Sequence, residues 1–170
     1  PCAIERRDVW GLGYVVPVSS GATPRPSRLG RYELITQIGQ GGMAEVQLAI
    51  QRGPAGFEKL VVVKLVHENL ATQKAFVDML LEEARMAALV KHPNVVDIYD
   101  LGQAEGRYFI AMEYLEGRTL TDALAPGPLP LERATAILAQ CAAGLQAAHD
   151  LGIVHRDLKL DNVMLDRQGR

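Results

Sequence analysis

The sequence is poor in cysteine, has no excess of either charge and contains no long apolar run. Its two cysteines, Cys2 and Cys141, lie far apart, which excludes a disulfide framework and a metal site built on paired cysteines. Eighteen Lys and Arg against twenty Asp and Glu give a net charge of −2, so no global field steers the chain onto nucleic acid or an anionic membrane. No stretch is long enough to span a bilayer, and Pro1–Asp8 lack the apolar core of a secretory signal. These absences predict a reduced, cytoplasmic domain and name no function.

The first thirty residues differ in composition from the remainder. Ser19–Ser27 is rich in Ser and Pro and has no apolar period, which is typical of a linker. Val15–Val18 has the composition of a short strand, although Pro17 would confine it to the edge of a sheet. We therefore expect residues 1–30 to be a poorly ordered tail or linker and residues 31–170 to form the folded part.

Alternating apolar residues predict a sheet at the start of this folded part. Three strands, Tyr32–Gly39, Val46–Ile50 and Leu60–Val66, follow one another through short loops, which favours an antiparallel meander. Two further strands, a long helix and a short final strand are expected at Val95–Leu101, Tyr108–Tyr114, Leu131–Leu151 and Val163–Leu165. The buried stripe of that helix is expected to comprise Ala134, Ile137, Leu138, Cys141, Leu145 and Ala148.

A second helix is predicted from about Lys74 to Lys91, where His92-Pro93 ends it. Its face at steps of three and four is apolar except at one position, and comprises Phe76, Met79, Leu80, Glu83, Ala87 and Val90. Lys64 is similarly isolated in its apolar strand. Because burial of a lone ammonium or carboxylate is costly, we expect Lys64 and Glu83 to form one ion pair.

A glycine cluster, Gly39, Gly41 and Gly42, separates the first two strands. With Ala44 it fits the fingerprint of dinucleotide-binding folds, but that fingerprint requires a helix after Ala44 to receive the pyrophosphate. The next residues alternate as a strand, which favours a flap whose backbone N–H groups lie over nucleotide phosphates. A glycine-rich hairpin without a ligand has the same pattern. A Walker loop is excluded, because no G-x-x-x-x-G-K-[ST] occurs.

Two further motifs give the glycine cluster its meaning. His155–Asn162 reads His-Arg-Asp-Leu-Lys-Leu-Asp-Asn, and Val61–Lys64 reads Val-Val-Val-Lys. These match the H-R-D-L-K-x-x-N and V-A-I-K motifs, and from Tyr32 to the end the chain resembles the eukaryotic-type protein kinase family, most closely its bacterial Ser/Thr branch. The resemblance implies an α+β fold, with a five-stranded antiparallel N-lobe and one main helix at about 31–115 and the start of a helical C-lobe at 116–170.

The resemblance implies ATP and Mg²⁺ as cofactors and the Ser or Thr hydroxyls of proteins as acceptors. By the same resemblance, Asp157 is expected to accept or orient the proton of the attacking hydroxyl, Lys159 to stabilise the transferring phosphate, and Asn162 to bind Mg²⁺. Lys64 is expected to hold the α- and β-phosphates and to be positioned by Glu83. No nucleic-acid partner is implied, and the resemblance leaves the oligomeric state open.

Ile110–Gly117 resembles the hinge between the two lobes, where the family binds adenine. Met112 is the expected gatekeeper, and the backbone of Glu113 and Leu115 is expected to hydrogen-bond the base. The full set expected to contact ATP is Ile38, Gly39, Gly41, Gly42, Val46, Val62, Lys64, Met112, Glu113, Leu115 and Met164. For Val46, Val62 and Met164, ordinary core packing explains the same pattern.

The 170 residues contain no Asp-Phe-Gly and no Ala-Pro-Glu. The family's stronger metal ligand and its activation segment are therefore missing, and we interpret the chain as an N-terminal fragment of a kinase. We expect the fragment itself to be inactive, and to expose apolar surface where the helix at Leu131–Leu151 lacks the rest of its lobe. The cytoplasmic location is expected for the kinase domain, since bacterial relatives often continue into a membrane span and sensor domain.

Two other hypotheses stay open at this point. A catalytically inactive nucleotide-binding or decoy module is the runner-up, although such a protein has no chemical need for Lys64, Glu83, Asp157 and Asn162 together. A dinucleotide-binding oxidoreductase is the third, and it requires a helix directly after Ala44.

Overall fold

The computed structural model describes residues 28–170. The predicted tail up to residue 27, including the strand expected at Val15–Val18, lies outside the described residues. The strands are β1 (Arg28–Leu29), β2 (Tyr32–Gln40), β3 (Ala44–Arg52), β4 (Glu58–Val66), β5 (Ile98–Ala104), β6 (Arg107–Glu113), β7 (Gly117–Thr119) and β8 (Met164–Asp166). The helices are α1 (Glu68–Ala71), α2 (Lys74–Ala87), α3 (Leu120–Leu124) and α4 (Leu131–His149). Within this range, no helix combines the length and the apolar character that a bilayer crossing requires.

The strands β1 to β6 form one antiparallel sheet in the order β1-β2-β3-β4-β6-β5, and β7 pairs with β8 separately. The predicted five-stranded sheet is present, with β1 added at its edge. Arg28 and Leu29 pair with Glu33 and Tyr32, and Leu29 is buried. Arg28 and Leu29 therefore belong with the sheet and not with the predicted tail at residues 1–30. Composition could not show this, because it does not reveal the pairing with β2.

β4 lies in the interior of the sheet and is buried on both faces. On one face, Val61 and its alternate neighbours pack in a core cluster with Tyr32 and Phe109. On the other face, Val62 and Val66 pack in a second cluster against α2. A strand that is covered on both sides needs apolar residues at successive positions, which explains the continuous apolar run in the sequence.

A polar cluster connects strands that are not neighbours in the sheet. The hydroxyl of Tyr32 in β2 donates to Oδ2 of Asp100 in β5 at 2.9 Å, and Arg31 Nη2 donates to the same oxygen at 2.7 Å. The Tyr32 ring also meets Phe109 edge to face, with centroids 5.5 Å apart. Burial, with the bond to Asp100, raises the pKa of Tyr32 to about 12. The sheet is thus curled, with its first core cluster inside the curl.

The helix α2 begins at the predicted residue but ends at Ala87, four residues before the predicted end. The amides of Leu89 and Val90 donate to carbonyls three residues back, so the chain tightens into a final turn ahead of Pro93. The predicted apolar face is confirmed, since its members Phe76, Met79, Leu80, Ala87 and Val90 are buried or half-buried. The single turn α1 was not predicted.

The helix α4 approaches the N-terminal half through a small residue. A Cβ on Gly144 would lie 2.9 Å from the carbonyl oxygen of Asn94, and Asn94 Nδ2 donates to Gln140 Oε1 at 3.2 Å. Ile137 is buried as predicted, but the prediction for Leu138 is wrong, because it lies about 100° around the helix from the contacting face and is 65% exposed. Other large apolar side chains on and after this helix are exposed as expected, including Leu131, Leu151, Val154, Leu158 and Leu160.

Replacing Asp100 with Ala should destabilise the curled sheet. The substitution removes the acceptor of the Tyr32 hydroxyl, and a buried donor without a partner costs about 1–3 kcal/mol. Urea unfolding followed by circular dichroism measures the loss in the free energy of unfolding. In a Tyr32→Phe background the same substitution should cost clearly less. An equal loss in both backgrounds would show that Asp100 acts through Arg31 instead.

Candidate active site

The H-R-D motif forms a tight turn that presents Asp157. Arg156 has a φ of +63°, in the left-handed region that residues other than glycine rarely occupy. The Asp157 amide donates across this turn to the carbonyl of His155 at 2.8 Å. Burial lowers the pKa of the His155 imidazole, which agrees with a packing role for this side chain. Such a backbone conformation persists where surrounding contacts hold it, and here it sets the direction of Asp157.

Asp157, Lys159 and Asn162 meet at one carboxylate oxygen. Lys159 Nζ lies 2.9 Å from Asp157 Oδ2, and Asn162 Nδ2 donates to the same oxygen at 3.0 Å. The Asn162 amide also donates to the backbone carbonyl of Asp157 at 2.7 Å. The bond from Lys159 lowers the pKa of Asp157, against partial desolvation, and the bond from Asn162 adds to the effect. The site therefore holds a carboxylate at neutral pH with an ammonium beside it.

Contacts outside the motif fix this loop, and sequence reasoning missed them. Thr121 Oγ1 donates to Asp161 Oδ1 at 2.6 Å, joining α3 to the loop. After the loop, β8 pairs with β7 so closely that a Cβ on Gly117 would lie 1.9 Å from the Leu165 carbonyl oxygen. Of the elements in these contacts, only α3 could be detected from the sequence, because Thr119 caps its N-terminus in a Thr-x-x-Asp pattern.

Lys64 lies within β4 and is only 7% exposed. In the sheet it pairs with Val46 of β3 and Ile110 of β6. Alternation along the strand gives it the same face as Val62, which packs against α2. Glu83 lies on α2 and is half-buried. This placement is compatible with the expected ion pair between Lys64 and Glu83, which stays a prediction.

The glycine cluster forms the turn between β2 and β3. The Gly41 amide donates to the Ala44 carbonyl at 2.8 Å, and Gly41 and Gly42 are exposed. The residues from Ala44 onward form β3 and not a helix. A dinucleotide-binding arrangement is therefore excluded, because its pyrophosphate needs a helix N-terminus at this point.

Seven residues expected around adenine fall into two groups. Four of them pack in the core cluster against α2: Ile38, Val46, Val62 and Met112. Three other members of the expected set line a cavity of about 240 Å³: Glu113, Leu115 and Met164. This cavity is also lined by α4 and by the loop His155–Asn162, called the catalytic loop below. The four residues of the core cluster do not line this cavity, and Val46 is fully buried. The expected contact of Val46 with adenine stays a prediction.

At the hinge, the backbone N–H of Glu113 is engaged within the protein. The N–H of Glu113 donates to the carbonyl of Asp97 at 2.8 Å. Its donor is therefore engaged within the protein, and Glu113 can offer adenine only its carbonyl, which would accept from the amino group of the base.

The comparison with known families decides the identity of this arrangement. The family model described as "Protein kinase domain" matches residues 32–170. The chain belongs to the protein kinase family. It therefore has the α+β fold that the motifs predicted, and the family as a whole uses ATP and a divalent metal.

Several protein kinases are similar to this chain. The solved kinase domain of PknI from Mycobacterium tuberculosis matches with a TM-score of 0.73 at 29% identity, over 87% of this chain and 59% of that one. Serine/threonine-protein kinase pkn2 of Myxococcus xanthus is 40% identical over 83% of this chain and 17% of its own length. Tyrosine-protein kinase MasK of Myxococcus xanthus (strain DK1622) is 38% identical over 91% of this chain and 26% of its own. The chain spans less than a third of the length of these two curated relatives.

Removing the Lys159 ammonium should raise the pKa of Asp157. The ammonium favours the charged carboxylate, so Lys159→Met shifts the pKa upward toward the ordinary carboxyl value. The stabilisation from this contact is present above the ordinary carboxyl pKa and is lost as the pH falls through the lower, folded value. Titration of the Asp157 side-chain carbon by NMR measures the shift.

Lys91→Met is the matched control, because it removes an ammonium that lies 2.7 Å from Asp97 Oδ1. It should leave the titration of Asp157 unchanged. An unaltered pKa in Lys159→Met would assign the shift to the Asn162 bonds.

Proposed function

We propose that this chain is the nucleotide-binding and catalytic-loop part of a kinase that transfers the γ-phosphoryl group of ATP to Ser or Thr hydroxyls of proteins. The observation that carries the proposal is the contact of the Asp157 carboxylate with the Lys159 ammonium and the Asn162 amide, within one contiguous loop. Lys64, buried on the sheet side, supplies a second cation at a separate position.

Asp157 orients the acceptor hydroxyl and receives its proton. Its lowered pKa makes it a weak base, so its first contribution is a hydrogen bond that aims the hydroxyl oxygen at the γ-phosphorus. The oxygen–phosphorus bond forms as the bond from phosphorus to the ADP oxygen breaks, and the hydroxyl proton passes to the carboxylate. Positioning and charge stabilisation account for most of the catalysis in this reaction class.

Lys159 supplies positive charge next to the reacting groups. Its side chain is 43% exposed, so the ammonium can turn from Asp157 to an oxygen of the transferring phosphoryl group without crossing a packed interior. A cation at that position stabilises the negative charge of the transition state.

The phosphates are bound from the sheet side. Lys64 contacts the α- and β-phosphates, and Glu83 of α2 positions the ammonium. The turn at Gly41 and Gly42 contributes backbone N–H groups, since successive amides in a turn form an anion-binding concavity.

Asn162 suits a hard divalent cation. Because its Nδ2 is directed at Asp157, its side-chain oxygen is turned to the opposite side of the amide. Among residues 28–170, no group of three or more His, Cys, Asp and Glu side chains forms a metal site. A cation bound by one protein oxygen and by phosphates matches the preference of Mg²⁺, which usually keeps few protein ligands. When bound, Mg²⁺ would neutralise phosphate charge.

The class of acceptor is set by resemblance. Lys159 occupies the position that marks the Ser/Thr branch, and pkn2 is named a serine/threonine kinase. MasK, which is 38% identical, is named a tyrosine kinase. Identification of the phosphorylated amino acid therefore belongs in any test of the function.

A nucleotide-binding module without activity is the second candidate. It shares the turn at Gly41 and Gly42 and the buried Lys64 with the first candidate and differs in making no use of Asp157. The contacts around Asp157 favour transfer, because a module that only binds nucleotide needs no oriented carboxylate.

Lys64→Met should abolish phosphoryl transfer in the protein expressed from its whole gene. Loss of one charge-stabilising group costs roughly 10²–10³-fold in rate. Transfer of label from γ-labelled ATP to a protein substrate, followed by phosphoamino acid analysis, measures both rate and acceptor. Lys59→Met, on the same strand with an exposed ammonium above the Tyr99 ring, should leave the rate unchanged. An unchanged rate in Lys64→Met would refute its assigned role, and phosphotyrosine as product would assign the other acceptor class.

The 170-residue chain alone should bind ATP and transfer no phosphate, because it lacks the Asp of Asp-Phe-Gly that the family uses to hold metal. Calorimetric titration with ATP and the same transfer assay test the two parts separately. Turnover by this chain that Asp157→Asn abolishes would contradict the expectation.

A further inference from the structure

His67 is held firmly at the junction of β4 and α1, three residues beyond Lys64. Its backbone N–H donates to the carbonyl of Met43 at 3.0 Å, and its own carbonyl accepts from the amides of Leu70 and Ala71, each at 3.0 Å. The main chain of His67 is thus bonded on one side to the turn between β2 and β3, called the glycine turn below, and on the other side to the first turn of α1. The imidazole projects from a fixed position.

The imidazole reaches back to the glycine turn. His67 Nε2 lies 2.9 Å from the carbonyl oxygen of Gly41. A carbonyl oxygen can only accept, so Nε2 carries the proton and donates. Together with the backbone bond to Met43, this ring bond means that two carbonyls of the turn between β2 and β3 are bonded to one residue outside it.

Holding the Gly41 carbonyl also orients the next amide. The peptide between Gly41 and Gly42 is planar and trans, so the Gly42 N–H points opposite to the Gly41 carbonyl. Neither residue has a side chain to restrict this peptide, and a Cβ on Gly42 would meet nothing within 4 Å. Without the imidazole, rotation of the peptide plane would meet little resistance. The hydrogen bond selects one orientation.

We propose that His67 is a positioning residue for the phosphates of the nucleotide. By bonding the Gly41 carbonyl it directs the Gly42 N–H away from His67, where a phosphate oxygen would accept it. His67 itself does not touch the ligand. The inference rests on the nucleotide-binding function proposed above, and it concerns the phosphate groups and not the base.

Calorimetric titrations of the 170-residue chain with ATP and with adenosine, in the presence of Mg²⁺, test this role. His67→Phe keeps a ring of similar size but removes the donor. We expect it to weaken ATP binding by roughly 3- to 10-fold, the worth of one hydrogen bond, and to leave adenosine binding unchanged. His67→Gln, whose amide nitrogen can replace Nε2, should restore ATP affinity.

His92→Phe is the matched control. His92 is also half-buried, and its ring Nδ1 accepts from the backbone amide of Asn94 at 3.1 Å, outside the glycine turn. This substitution should leave the ratio of ATP to adenosine affinity at the wild-type value. In the nucleotide-free protein, the heteronuclear NOE of the Gly42 amide should fall in His67→Phe and stay unchanged in both His67→Gln and His92→Phe.

The outcomes separate the two proposals. A loss confined to ATP, caused by Phe and reversed by Gln, supports the positioning role. If wild-type protein binds ATP and His67→Phe binds it equally well, or loses ATP and adenosine alike, the role of His67 is refuted and nucleotide binding stands. Unchanged order at Gly42 in His67→Phe also refutes it. A wild-type chain that binds neither ligand refutes the proposed function, and the inference with it.

Discussion

β4 is hydrogen-bonded along both edges and buried on both faces, and the N-terminal half of the molecule is arranged around it. One face of β4 packs inside the curled sheet, and the other face packs against α2. Lys64 lies on the second face, so the packing that stabilises the strand also removes an ammonium from water, at a cost to folding. The same desolvation strengthens the attraction of that ammonium for an anionic ligand. Under the proposed function, stability and nucleotide binding would therefore be coupled through one strand.

The catalytic loop depends on short polar contacts, in contrast to the apolar burial around β4. Asp157 is oriented by Asn162 and by the left-handed turn at Arg156, while Thr121 ties the loop to α3. Such contacts involve few residues and define the direction of one side chain closely, as a catalytic group requires. Substitutions in the core of the sheet should act mainly on stability. Substitutions in the loop should act mainly on the placement of one carboxylate.

The sequence predicted well what depends on local spacing. Apolar periodicity located the strands and the buried face of α2, and the motif placed Asp157, Lys159 and Asn162 together because they lie within six residues in one loop. The link from His67 to the glycine turn was missed because its partners lie 26 residues apart in the sequence. The edge strand β1 and the early end of α2 are local features, but the two-residue strand and the tight turn after Ala87 leave no apolar period to detect. The residues expected around adenine are spread over the sequence from Ile38 to Met164. Their spacing in the sequence could not show that some pack in a core cluster and others line a cavity.

The two ends of the nucleotide meet different kinds of surface. The glycine turn is bonded from outside by His67, and Lys64 lies in a paired strand, so the groups that we propose to face the phosphates are already held by the fold. Val46 is fully buried, so in the proposed complex adenine would contact it only after neighbouring side chains move. Ordered groups lose little entropy on binding, whereas movement of packed side chains is subtracted from the affinity. A change at the phosphate end therefore alters affinity directly, and a change at the adenine end acts through the free energy of opening.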